Sequence, residues 1–171
     1  MTATTTIRRC TQSDFEAIYT IINDAAEAYR GVIPAHCWKE SYMAKGELQH
    51  EIDGGVEFWV CENKRELAGV MGIQHVQDVA LFRHAYVRTS NRNRGIGSAL
   101  LSHLLQRTTR PILVGTWEAA TWAIRFYEKH GFHLVAPREK DELLARYWSI
   151  SQRQIETSVV LADKKWLEVK T

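Results

Sequence analysis

The chain has 171 residues, 45% hydrophobic and 25% charged, with only 3 prolines and no low-complexity stretch, a make-up that argues against disorder. Its formal net charge of +2 is too small to point to nucleic acid or to an anionic membrane surface. Cys10, Cys37 and Cys61 are odd in number and unpatterned, which argues against a disulfide framework or a zinc knuckle and suggests buried thiols in a reducing compartment. The opening MTATTTIRRC lacks the apolar core of a signal peptide, and no run approaches the ~20 apolar residues of a membrane span. A cytoplasmic protein with no membrane partner is expected.

Thr5 to Arg9 is β-branched and reads as a first strand, and Ser13-Asp14-Phe15-Glu16 has the form of a capping box. The helix that follows shows Phe15, Ile18, Ile22, Ala25 and Tyr29 at helical spacing and stops near Gly31 and Pro34. One or two short helices are expected between Arg30 and Ile52, closed by Gly54-Gly55. From Val56 the pattern changes to strands over Val56 to Glu62, Leu67 to Gln77 and Val79 to Val87, joined closely enough to form an antiparallel meander.

The second half reads as a helix over Gly97 to Arg107, a buried strand over Ile112 to Thr116, a helix over Thr121 to His130 stopped by Gly131, and a strand over Phe132 to Val135. Lys140 to Tyr147 looks helical, and Thr157 to Leu161 is the last strand. This order requires crossover connections. One mixed α+β sheet domain over residues 1–171 is expected, with no linker and no internal repeat.

The stretch Arg92-Asn93-Arg94-Gly95-Ile96-Gly97-Ser98 leads into the apolar helix. Two glycines allow close backbone approach, successive N–H groups converge where the helix dipole is positive, and two arginines add donors suited to phosphate. Polar residues and glycines also make ordinary helix starts. A P-loop is excluded, because Ser98-Ala99 stands where Lys-Ser/Thr is needed. A dinucleotide loop lacks its third glycine, Leu100 standing there, although Glu118 lies near the distance of a ribose contact.

Tyr86-Val87 followed by Arg92-x-x-Gly95-x-Gly97 resembles motif A of the GNAT superfamily of N-acetyltransferases, and Ala123 to Phe132 (AIRFYEKHGF) resembles their motif B, in the same order. The resemblance implies a GNAT-like central twisted sheet of six to seven strands, mixed but mostly antiparallel and flanked by helices. It implies acetyl-CoA as co-substrate, held by Tyr86, Val87, Arg88, Arg92, Asn93, Arg94, Gly95, Ile96, Gly97 and Ser98. Within this set the Val87 N–H addresses the thioester carbonyl. It also implies transfer of the acetyl group to a primary amine of a small molecule or peptide by direct attack, with Tyr127 as the acid serving the leaving thiolate. Periodicity alone favours Tyr127 as a core residue of an amphipathic helix, and only the motif points to the acid.

Two departures from the pattern bear on the base. Gly115 stands where related enzymes often carry a strand glutamate, and Ala120 replaces the usual motif B asparagine. Glu118 and His84 are therefore the candidate bases, and a catalytically impaired acyl-CoA-binding module is the alternative reading. The resemblance further places the acceptor near Tyr29, Arg30 and Trp38, where Arg30 suits a carboxylate and the aromatics a cation, although Trp38 and Tyr42 at i and i+4 also suit a core. Homodimerisation is common in such enzymes. His75, Asp78 and His84 match no metal spacing, so no metal is expected. The arginines from Arg83 to Arg110 lack aromatic interleaving, so a polyphosphate co-substrate accounts for them better than nucleic acid.

Overall fold

The β-branched segment Thr5–Arg9 forms edge strand β1, antiparallel to β2, Glu57–Asn63, with Thr5 opposite Asn63 and Arg9 opposite Trp59. The structure, a computed structural model, describes residues 5–169. Between these strands lie α1, Phe15–Ala26, and α2, Lys45–Asp53, with short 3-10 turns over Glu27–Tyr29 and Ala35–Cys37. Gly31 and Gly55 take φ of 75° and 102°, the left-handed conformation that ends each segment where expected.

The capping box lies two residues before the expected Ser13–Glu16 one, on the 3-10 turn Gln12–Asp14 that leads into α1. The Thr11 N–H donates to Asp14 Oδ2 at 2.7 Å, and Arg8 grips the same carboxylate from β1 with bonds of 2.8 and 2.9 Å. A carboxylate already oriented by a guanidinium is the better acceptor, so Asp14 closes the box. Glu16 faces outward and pairs with Lys45 at 2.9 Å.

Strands β3, Glu66–Val76, and β4, Val79–Val87, follow, and then α3, Ile96–Leu105. The seven-stranded sheet has the order β1-β2-β3-β4-β5-β7-β6, where β5 is Ile112–Trp117, β6 is His133–Leu134 and β7 is Ser158–Ala162. β4 and β5 run parallel, with Ala80 opposite Ile112, whereas β7 is antiparallel to both β5 and β6. The expected mixed sheet and its crossovers are present.

Two compact units divide the chain. The first comprises the chain up to Arg30, Trp38–Gln74 and Arg83–Thr109. Its core packs Ile18, Ile21 and Ile22 of α1 with Phe58, Val60 and Val70 of the sheet. On β3 a Cβ at Gly69 would lie 2.9 Å from Ile96 Cγ2 and 3.2 Å from the Tyr86 carbonyl, so the bare glycine lets the first turn of α3 sit directly on the strands. Ile96, Leu100, Leu101 and Leu104 are the buried anchors of that helix.

The second unit comprises Gly31–Cys37, His75–Phe82 and the chain from Arg110. It carries α4, Thr121–Lys129, and α5, Pro137–Tyr147, which starts earlier than expected because Pro137 suits the first helical turn. Leu143, Leu144 and Tyr147 of α5 pack with Leu113 of β5 and Val160 of β7. Two short helices, α6 at Gln152–Glu156 and α7 at Lys164–Val169, escape sequence periodicity because caps start them. Ser151 Oγ accepts the Gln154 N–H at 3.2 Å, and Asp163 Oδ1 accepts the Trp166 N–H at 3.1 Å.

Candidate active site

The glycine loop ends in an open helix N-terminus. Asn93 and Gly95 take φ of 62° and 77°, and Gly95 is the N-cap of α3. The Ala99 N–H, donating to the Gly95 carbonyl at 3.0 Å, opens the helical ladder, so the N–H groups of Ile96, Gly97 and Ser98 precede it. Arg92, Asn93, Arg94 and Gly95 are exposed, and a Cβ at Gly95 would meet nothing within 4 Å. Amide donors, a positive helix end, two guanidinium groups and open space make a fit for pyrophosphate. Ile96 is buried, so its side chain is core and only its N–H faces this task.

The loop is braced from α1. Asp24 Oδ2 accepts the Thr89 N–H at 2.7 Å, and Arg92 Nη2 reaches the Ala25 carbonyl at 3.5 Å. Asp24 escaped the sequence reading, because nothing local links it to a loop 65 residues away. The other arginines of the run are dispersed into structural work. Arg83 pairs with Glu51 at 2.8 Å, Arg88 Nε donates to the Leu67 carbonyl at 2.6 Å, and Arg107 lies over the Trp59 ring at 4.5 Å. Arg110 donates to the Gln77 carbonyl at 3.1 Å.

At the end of β4 the Arg88 N–H donates to the Ala68 carbonyl of β3 at 2.8 Å. Backbone groups alternate along a strand, so the Val87 N–H faces the opposite edge, as a donor to a thioester requires. The Tyr86 side chain turns instead into an aromatic cluster, 6.3 Å from the Tyr29 ring, and burial raises its phenol well above the ordinary value. Tyr29 also packs on Tyr42 at 5.3 Å, and Trp38 on Tyr42 at 5.9 Å. Arg30 joins this wall already paired: it lies over Trp38 at 4.7 Å, with Glu27 at 2.9 Å and Glu40 in contact. This guanidinium therefore braces Trp38 while two exposed carboxylates pair with it.

Tyr127 is the buried residue of α4, with its ring edge-on to Phe132 at 5.7 Å and to Phe126 at 5.1 Å. Among the described residues its hydroxyl has no hydrogen-bond partner. Burial raises the phenol well above its ordinary value, so it is protonated at neutral pH and able to donate.

The two candidate bases differ. Glu118 is exposed, on the turn between β5 and α4, with its N–H donating to the Thr157 carbonyl at 2.9 Å. His84 lies within β4 at a φ of 56°, with a largely buried ring whose Nε2 is 3.5 Å from Glu51 Oε2. Burial lowers its pKa against the opposing pull of Glu51, which leaves the imidazole neutral at physiological pH. A side chain at Gly115 would crowd Trp148, because a Cβ there would lie 3.3 Å from Trp148 Cζ2. Among the described residues no group of three or more His, Cys, Asp and Glu is placed to hold a metal, and Asp78 accepts the Tyr147 hydroxyl at 2.7 Å. Nor is any helix among them long and apolar enough to cross a membrane.

Comparison with known proteins bears on the family and the fold. The acetyltransferase (GNAT) domain family matches residues 17–145. The chain is 24% identical over 151 residues to the peptidyl-lysine N-acetyltransferase YiaC of Escherichia coli, covering 88% of this chain and 99% of that protein. Its fold is similar to that of a GNAT acetyltransferase of Staphylococcus aureus, with a TM-score of 0.70 at 16% identity over 94% of this chain and 98% of that one. The PaiA N-acetyltransferase of Thermoplasma acidophilum, solved in complex with coenzyme A, has the same TM-score of 0.70 at 16% identity, over 94% of this chain and 99% of that one. The family match spans most of the chain and both sequence motifs: the chain belongs to the GNAT acetyltransferase family, an N-acetyltransferase whose co-substrate is acetyl-CoA.

Proposed function

We propose that this protein, acting in the cytoplasm as one domain over residues 1–171, transfers the acetyl group of acetyl-CoA to a primary amine of a small molecule or peptide by direct attack. The observation that carries the donor half is the open left-handed N-cap at Gly95, with exposed Arg92 and Arg94 beside it. The N–H groups of Ile96, Gly97 and Ser98 hold the pyrophosphate there. The Val87 N–H donates to the thioester oxygen, where negative charge grows as the amine nitrogen bonds to the carbonyl carbon. The carbon–sulfur bond breaks, and the Tyr127 hydroxyl supplies the proton that the thiolate needs.

The attacking nitrogen must shed a proton, and His84 is the base this reading favours. Its imidazole is neutral near pH 7, and Gly115 beside Trp148 carries no carboxylate. Exposed Glu118 is the second candidate, acting through water. The cluster of Tyr29, Trp38 and Tyr42 supports a cationic amine as acceptor, since aromatic faces attract ammonium groups. The name of the E. coli relative, a peptidyl-lysine N-acetyltransferase, supports a peptide amine within that class.

Initial rates over a grid of acetyl-CoA and amine concentrations test direct attack. Both substrates must be bound together, so double-reciprocal lines that intersect are expected. Parallel lines, the mark of an acetylated enzyme intermediate, would overturn it.

A further inference from the structure

We infer that Glu51 is the positioning residue for His84: its carboxylate, on the last turn of α2, faces the buried imidazole Nε2 and fixes which ring nitrogen carries the proton. The inference rests on the proposed role of His84 as base.

The geometry starts from the backbone. His84 holds a φ of 56° in the middle of a strand, a conformation that re-aims its side chain and persists only where neighbours fix it. Glu51 Oε2 lies 3.5 Å from Nε2, an electrostatic contact longer than a good hydrogen bond. Glu51 is itself held, because Arg83 Nη1 pairs with Oε2 at 2.8 Å and donates to Gln74 Oε1 at 3.0 Å. The three side chains of this relay are 15 to 22% exposed, so the charges act through little water.

Nε2 is buried, with no hydrogen-bond partner among the described residues, so a substrate cannot deliver its proton there. A proton resident on Nε2, facing a carboxylate, leaves the Nδ1 lone pair as the only basic site on the ring. When Nδ1 takes the proton of the amine, the new imidazolium sits beside the Glu51 carboxylate, which stabilises it. Arg83 moderates that pull, since its positive charge opposes protonation of His84. From β2 the uncharged Phe58 ring packs on His84 at 6.0 Å, and His50 acts on Glu51 from the same helix. Glu51 favours the imidazolium, Arg83 opposes it, and burial, the largest influence, keeps the ring neutral at rest.

The full chain, with Glu51→Gln and His84→Gln, tests the relay by two readouts. Nitrogen-15 histidine labelling and long-range proton–nitrogen spectra report the tautomer, with His84 identified by the signal lost in His84→Gln. The expected wild-type ring carries its proton on Nε2, and Glu51→Gln lowers its titration midpoint. With an accepted amine, Glu51→Gln is expected to lower kcat roughly tenfold, leave the KM for acetyl-CoA unchanged and move the acid limb of the kcat/KM profile to lower pH. A structural brace would not move that limb. An Nδ1–H ring in the wild type, or an unmoved midpoint in Glu51→Gln, overturns the inference. If Glu51→Gln fails to fold, the wild-type tautomer decides alone. If no amine is acetylated, the base role falls while the spectra still judge the Glu51–His84 pair.

Discussion

Trp148 covers Gly115: a Cβ added to that strand residue would lie 3.3 Å from Cζ2 and 3.4 Å from Cε2 of the indole, with Leu144 Cδ2 at 3.6 Å. The strand glycine thus lies under an aromatic roof. Gly115→Glu is therefore expected to give no gain in kcat and to destabilise the fold by about 1–3 kcal/mol through overpacking. Thermal unfolding and steady-state rates on the same preparation check both parts, and a faster enzyme would show that the base had been misplaced.

Tyr127 separates chemistry from packing. Its ring is buried against Phe132 while its hydroxyl has no partner among the described residues. Tyr127→Phe should lower kcat by about 10²-fold or more, with the KM for acetyl-CoA and the melting temperature little changed. Unchanged turnover removes Tyr127 from the mechanism.

Asp24 holds the approach to the glycine loop through the Thr89 N–H at 2.7 Å. Asp24→Ala loses this bond without touching the pyrophosphate donors. Calorimetric titration with coenzyme A should show an affinity roughly fivefold weaker, about 1 kcal/mol. An unaltered affinity would mean that α1 does not order the loop.

Acid stability follows from Asp14. Its hydrogen bonds with Arg8 outweigh burial and hold its pKa at about 2, below the ordinary 3.8. The folded-state pKa is depressed, so this stabilisation is present above about pH 4 and is lost as pH falls from about 4 to about 2. The linkage amounts to at most about 2 kcal/mol. Urea midpoints at pH 7 and pH 2 should therefore converge in Asp14→Asn relative to wild type, and parallel curves would contradict the assignment.

How much of this was legible beforehand differs by distance along the chain. The strands from Val56 to Val87, the α3 anchors and the glycine loop are local patterns of alternation, helical period and turn chemistry, and they appear within a few residues of where the sequence puts them. α6 and α7 are too short for periodicity and depend on single caps. The partners that orient the site were illegible for a different reason. Glu51 meets His84, Asp24 meets Thr89 and Trp148 meets Gly115 only after strands and helices have packed, and no spacing rule connects them. The same holds for the Arg30–Glu40 pair, which is recognisable only in the fold.

The central claim is that this chain moves an acetyl group from acetyl-CoA to an amine. Incubation with acetyl-CoA and a panel of lysine-containing peptides, polyamines and amino acids, read by free-thiol release and product mass, tests it most directly. The account predicts thiol release that depends on one class of amine, in step with a product heavier by one acetyl group. Tight binding of coenzyme A with no amine accelerating thiol release would contradict it and leave an acyl-CoA-binding module that has lost its chemistry.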